Sequence, residues 1–157
     1  FLVPAGNPME IHNYQDIIKT GARMVTGAGF NTVEAAKKEG VPESQMMLVA
    51  GEVEILAAMN AGRADAAVQT FFGAKEHVEK SNGKFEVTDP NDMPDWTKNW
   101  VGIGVSKKNP DFLAAFNEAL GKIMGSDEMM AAVEPYGYTE FQLPGQDAST
   151  EFACANR

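Results

Sequence analysis

MMLVAGEVEILAAMNAGRADAAVQTFF, residues 46–72, is the stretch on which the reading of the fold turns. Residues 46–50 form a short apolar run. Within residues 52–61, Ile55, Leu56 and Met59 fall on roughly one helical face, and Gly62 stops the helix. Residues 65–70 begin a second apolar run, so the order is strand, helix, turn, strand. Two strands joined through one helix are too far apart in sequence for a hairpin. The usual solution is a right-handed crossover in a parallel sheet covered by helices. Such sheets bind ligands beyond the carboxyl ends of their strands, here near Gly51 and Glu52 and near residues 69–72.

The chain's 157 residues suffice for one ordinary domain or two small lobes, and 44% hydrophobic content argues against disorder. With 22 acidic and 13 basic residues the net charge is −9, which supplies no basic footprint for nucleic acid. The single cysteine, Cys154, gives neither a disulfide framework nor a metal cluster. No apolar run reaches the roughly 18 residues of a membrane span. The opening FLVPAGNP lacks an initiator methionine, carries no secretory signal pattern and enters directly on apolar residues. It reads as a start inside a strand, in a fragment or a processed chain.

Outward from the central stretch, residues 1–3 read as a strand closed by a Pro-Ala-Gly-Asn-Pro turn. A helix follows Asn13, with Tyr14, Ile17 and Ile18 on its apolar face and Gly21 at its end. Residues 24–26 are a strand and 33–39 a helix. Between them lies Gly27-Ala28-Gly29-Phe30-Asn31-Thr32. Asn31 and Glu34 fit a capping box, with Thr32 as a rival cap. Either choice sets a glycine-bearing loop against a helix amino end, where unpaired amides and the dipole favour an anion. The loop is not a dinucleotide fingerprint and no phosphate-loop lysine follows it. Two readings stay open: a helix start with flexible glycines, and a carboxylate-binding loop.

Beyond the central stretch, residues 72–80 read as a helix, Ser81-Asn82-Gly83 as a turn and Phe85 to Val87 as an edge strand. Residues 88–95 form a loop. Residues 100–105 read as a further strand with Val101, Ile103 and Val105 on one face. Asn109-Pro110 starts the longest helix, striped by Phe112, Leu113, Phe116, Leu120 and Ile123 and ended by Gly125. Ser126 starts a shorter helix, stopped by Pro135. A boundary falls between residues 95 and 100, and the part after it is short for a free-standing core.

Signals for catalysis are sparse. His12 and His77 begin no metal-spaced group, and no nucleophile elbow, zinc-protease, CxxC or calcium-loop pattern occurs. Asp65 inside a strand is expected to satisfy a backbone or arginine partner, with Arg63 a candidate. Met24, Met46, Met47, Met59 and Met124 read as core fillers.

Three blocks carry a family resemblance: residues 24–34 as strand, glycine-bearing loop and helix; residues 54–70, ending GRADAAVQT; and residues 101–120, VGIGVSKKNPDFLAAFNEAL, followed by a short helix and Tyr136-Gly137. Together they resemble the extracytoplasmic solute-binding components of ABC importers, in the subfamily for polar amino acids. VPESQMMLVAGEVEILAAMNAGRADAAV and TEFACANR resemble, more narrowly, ectoine and hydroxyectoine binding proteins. The resemblance implies an α/β, type II periplasmic-binding-protein-like fold with a parallel or mixed sheet flanked by helices, incomplete as a two-lobe structure. Residues 1–98 would form the second, ligand-binding lobe, and residues 99–157 would return to the first lobe and add a tail.

It further implies a periplasmic or extracytoplasmic protein that is not an enzyme and needs no cofactor or metal. Its partners would be a small zwitterionic solute and the membrane permease, to which the closed form is presented. In relatives, the loop matching Gly29-Phe30-Asn31-Thr32 reads glycine-threonine-threonine and receives the ligand carboxylate; Phe30 and Asn31 depart from it. The aspartate that pairs with the ligand ammonium is matched by Thr70. Losing that counter-charge disfavours an ordinary α-amino acid and suits a cyclic zwitterion with a delocalised cation, against which Phe71 or Phe72 could lie. The expected site is therefore Gly29, Phe30, Asn31 and Thr32 for the anion and Thr70 and Phe71 for the cation. Core packing is the alternative for the two phenylalanines. Glu52 is either cleft-facing or simply exposed, and is the one group to nominate for proton transfer if the fold serves a dehydratase-type enzyme. With part of the family's length absent, self-association through exposed lobe edges is also expected.

Overall fold

The computed structural model describes residues 1–97, 102–145 and 149–151. The chain divides into two units, Phe1–Thr97 and Lys98–Arg157.

The first unit is a sheet with helices on both faces. Its strands are β1 (Leu2–Pro4), β2 (Met24–Gly27), β3 (Met46–Val49), β4 (Ala66–Ala67) and β5 (Phe85–Val87), in the order β3-β2-β4-β1-β5. β2 pairs in parallel with both β3 and β4, while β1 runs antiparallel to β4 and to β5. The sheet is therefore mixed, with β1 reversed among parallel neighbours. The strand, helix, strand reading of residues 46–72 holds, with β2 lying between the two strands it joins. β4 is shorter than the apolar run suggests.

Strand alternation sorts the core into two layers. Val3, Met24 and Ala66 pack with Tyr14, Ile17 and Ala36, from helices α1 (Tyr14–Thr20) and α2 (Asn31–Lys38). Their strand neighbours Leu2, Val25 and Ala67 pack on the other face with Ile55, Ala58 and Ala74, from α3 (Glu52–Asn60) and α4 (Phe71–Lys80). Met24 and Met59 are buried, as expected of core fillers.

Local signals set the helix ends. Asn13 caps α1 in a true capping box with Asp16, and Gly21 closes it in the left-handed conformation. The box expected at Asn31 and Glu34 does not form: α2 begins one residue earlier, with Phe30 at the cap position and no side-chain cap, so Asn31 and Thr32 lie inside the helix. Asp65 finds its arginine in Arg23 rather than Arg63. The Arg23 amide donates to Asp65 Oδ2 at 2.8 Å, and the guanidinium Nε stands 3.8 Å from it. Trp96 fastens the end of the unit, donating through Nε1 to Glu39 Oε1 at 2.9 Å beneath Lys38 Nζ, 3.9 Å from the ring centroid.

In the second unit, α5 (Pro110–Ile123) has proline at its start, and Asn109 holds the cap position without a side-chain cap bond. Ser126 caps α6 (Asp127–Val133), accepting from the Met129 amide. The strand expected at 100–105 is not present at 102–105, and Ile103 is 68% exposed. Trp100 and Val101 lie outside the described residues. Along α5, Phe112, Leu113 and Ile123 are exposed, and neither α5 nor α6 carries a buried residue.

Candidate functional site

Three crossovers bring three helix amino ends to one edge of the sheet. β2 leads into α2 through residues 28–30, β3 into α3 through Ala50 and Gly51, and β4 into α4 through residues 68–70. Each loop follows a parallel strand, so the ends of α2, α3 and α4 share the carboxyl edge. The predicted residues 29–32 and 70–71 stand on two of these junctions and are thereby brought to the same edge.

At the first junction Gly29 has φ +83, a conformation that strains a side chain. The Ala28 amide donates to Val49 O at 2.7 Å and the Phe30 amide to Gly27 O at 3.0 Å. The amides of Gly29 and Thr32 have no backbone acceptor among the described residues. The Phe30 ring folds inward: a Cβ on Gly27 would stand 2.7 Å from it, and the ring packs against the α3–α4 core layer. Phe30 thus shapes the loop from beneath, while Asn31 is exposed at the start of α2. The Thr32 hydroxyl lies 2.5 Å from the buried Thr26 hydroxyl.

The second junction is built differently. Thr70 caps α4, its Oγ1 accepting from the Gly73 amide at 3.2 Å. The half-buried Phe71 and Phe72 rings meet edge to face at 5.6 Å, and neither belongs to a core layer. Lys75 Nζ is 5.5 Å from the Phe71 centroid. A Cβ on Gly73 would stand 3.1 Å from Thr70 Oγ1 and 3.3 Å from Glu52 Oε1. Glu52, at the start of α3, therefore reaches the first turn of α4 and sets a carboxylate beside Thr70. The sequence raises Glu52 only as a strand-end carboxylate, because nothing in residue spacing shows that α3 and α4 start side by side. Behind Thr70, Gln69 Nε2 is 2.8 Å from Nδ1 of the buried His77. Gln69 Oε1 is buried with no protein partner among the described residues.

Chemically, the edge offers the Gly29 and Thr32 amides, which have no backbone acceptor among the described residues, at one junction and an aromatic pair with a carboxylate at the other. Among the described residues no group of three His, Cys, Asp or Glu could hold a metal, and no helix is long and apolar enough to cross a membrane. A depression of about 410 Å³ lined by Asn7, His12, Glu86 and Asp92 lies along the β1–β5 side of the sheet and contains none of these groups.

No protein-family model matches the chain. It is 28% identical, over 99% of its length, to the Sinorhizobium fredii "Probable amino-acid ABC transporter periplasmic-binding protein y4tE". It spans about half of that relative, 53% of its length. Among solved structures, EhuB in complex with hydroxyectoine matches 99% of the chain at a TM-score of 0.73 and 23% identity, the chain covering 60% of it. The holo arginine-binding protein ArgBP from T. maritima matches 87% at a TM-score of 0.60 and 20% identity, with 56% of it covered. The fold is that of type II periplasmic-binding proteins, present in part, and the resemblance to solute-binding components of ABC importers is met in these relatives.

Proposed function

We propose that this chain supplies one wall of an extracytoplasmic solute-binding site that serves an ABC importer, capturing a small zwitterion of the ectoine or hydroxyectoine type for delivery to the permease. The observation that carries the reading is the pairing of unlike helix ends on one edge. The uncapped end of α2 presents amides and a positive dipole end to a carboxylate. The end of α4 is closed by Thr70 and overlooked by Glu52, which disfavours a second anion and suits a cation lying against Phe71. Gly29, Asn31 and Thr32 take the anionic end in this reading, with Phe30 supporting the loop. Thr70 and Phe71 take the cationic end. Glu52 supplies the counter-charge that Thr70 lacks, so its role here is electrostatic, and capture and release proceed without a chemical step.

Residues 99–157 are assigned to the opposite lobe. The exposed apolar stripe of α5 supports this, since Phe112 and Ile123 are more than half exposed and such a face is stable when another layer covers it. The other wall of the site would come from the part of the fold that the relatives carry and this chain does not span.

The test is isothermal titration of ectoine against the chain alone and against the chain joined to the remaining lobe of its relatives. Binding by the joined form alone supports a two-walled site. Binding of a plain α-amino acid in preference to ectoine would sink the ligand assignment and leave the solute-binding reading standing. No binding of any amino acid or betaine by either form would remove that reading too.

A further inference from the structure

We propose that the fully buried Thr26 holds Thr32 as a hydrogen-bond acceptor toward the bound solute, so that this wall selects a cation bearing an N–H over a quaternary ammonium. The inference rests on the solute-binding reading above and adds a rule for which solute is accepted.

The argument is one of counting protons. Thr26, one residue before the end of β2, has no exposed surface. Its Oγ1 lies 2.9 Å from Val68 O and 2.5 Å from Thr32 Oγ1. A carbonyl only accepts, so the single Thr26 proton is committed to Val68 O. The hydrogen bond between the two hydroxyls must then use the Thr32 proton. The order of donation runs from Thr32 to Thr26 to Val68 O, and the half-buried Thr32 oxygen has only lone pairs left for the cleft.

A carboxylate oxygen, itself only an acceptor, gains nothing from that oxygen and is left to the Gly29 and Thr32 amides. A solute N–H finds in it a matched acceptor, whereas a trimethylammonium has no proton to give. Reversing the order would strip Val68 O of a buried donor, which a water-poor interior penalises. Because Val68 precedes Thr70 on the same loop, the Thr26 hydroxyl also ties the anion-side junction to the cation-side one. Thr26 touches no solute in this scheme; it acts as a positioning residue through Thr32.

The test has two arms. Without ligand, NMR detection of hydroxyl protons on the chain should show the Thr26 proton protected from exchange and scalar-coupled to the Val68 carbonyl carbon. A Thr26 proton directed at Thr32 instead overturns the proposed order. With ligand, the form that binds is titrated with ectoine and with an N,N′-dimethylated analogue of equal charge and no N–H. Wild type should prefer ectoine by about tenfold or more. Thr26→Val, which keeps the shape, and Thr32→Val should each shrink the preference to within about threefold, while Thr26→Ser retains it. Matched urea unfolding of the variants separates this from loss of fold. An unchanged preference in both valine variants overturns the proposal. If wild type binds neither compound, the solute reading falls and the selectivity with it, while the carbonyl coupling still decides the order of donation.

Discussion

The amino end of α2 is left without a side-chain cap, propped from beneath by the Phe30 ring. A short distance along the same sheet edge, α4 is closed by Thr70 and overlooked by Glu52. Two helix ends of the same kind, each following a parallel strand, have thus been given opposite electrostatic character. An uncapped end forgoes stabilisation that a Ser, Thr or Asn cap would bring. At the first junction ring packing stands where a side-chain cap stands at the second, and the Gly29 and Thr32 amides have no backbone acceptor among the described residues.

The largest effect should come from breaking the ring packing. In Gly27→Ala the new Cβ would meet three Phe30 ring atoms at 2.7–2.8 Å, and the ring cannot move without disturbing the α3–α4 core layer. Stability should fall by about 1–3 kcal/mol, as for other overpacked sites. Solute affinity should fall at least about tenfold as the loop shifts, since a misplaced first contact is costly. Urea unfolding followed by circular dichroism, with titration alongside, measures both. Wild-type stability in the variant would show that the ring does not support the uncapped end.

A smaller effect is expected at the other junction. Thr70→Ala removes the acceptor for the Gly73 amide and should cost about 1 kcal/mol, with Thr70→Ser close to wild type. Urea unfolding of Thr70→Ala and Thr70→Ser side by side measures the difference, and wild-type stability in Thr70→Ala would mean that the α4 end does not depend on its cap.

How far these junctions were legible in the sequence follows from the range of the forces involved. The strand, helix, strand order of residues 46–72 is local, and it announced a sheet covered by helices. Asn13 with Asp16 and Asn31 with Glu34 are near-identical local patterns, yet only the first forms a box. At the second, α2 starts one residue earlier, with the Phe30 ring packed on Gly27 and the Thr32 and Thr26 hydroxyls in contact, packing that the local pattern does not contain. Asp65 likewise pairs across 42 positions with Arg23 rather than with Arg63 nearby. Residues 29–32 and 70–71 come to the carboxyl edge because each of their loops follows a parallel strand, an order of elements that is local in the chain. The sequence did not show Glu52 beside Thr70, because that proximity exists only once α3 and α4 are laid side by side on the same face.

That proximity sets the smallest and most specific expectation. Glu52 is exposed, so its field is screened by solvent and salt and contributes little to folding. Its effect should appear in recognition. Glu52→Gln keeps the size of the side chain and removes the charge, and should weaken a cationic zwitterion by about three- to tenfold at low ionic strength. A long-range charge effect fades as the Debye length falls to about 8 Å at physiological salt and below. The gap between variant and wild type should therefore close as salt is raised, whereas the loss in Gly27→Ala, which is steric, should not. A salt-independent defect in Glu52→Gln would mean that the carboxylate works through a direct hydrogen bond instead. An absence of any defect would leave Phe71 and the Thr70 hydroxyl to hold the cation, and the two helix ends would then differ in packing alone.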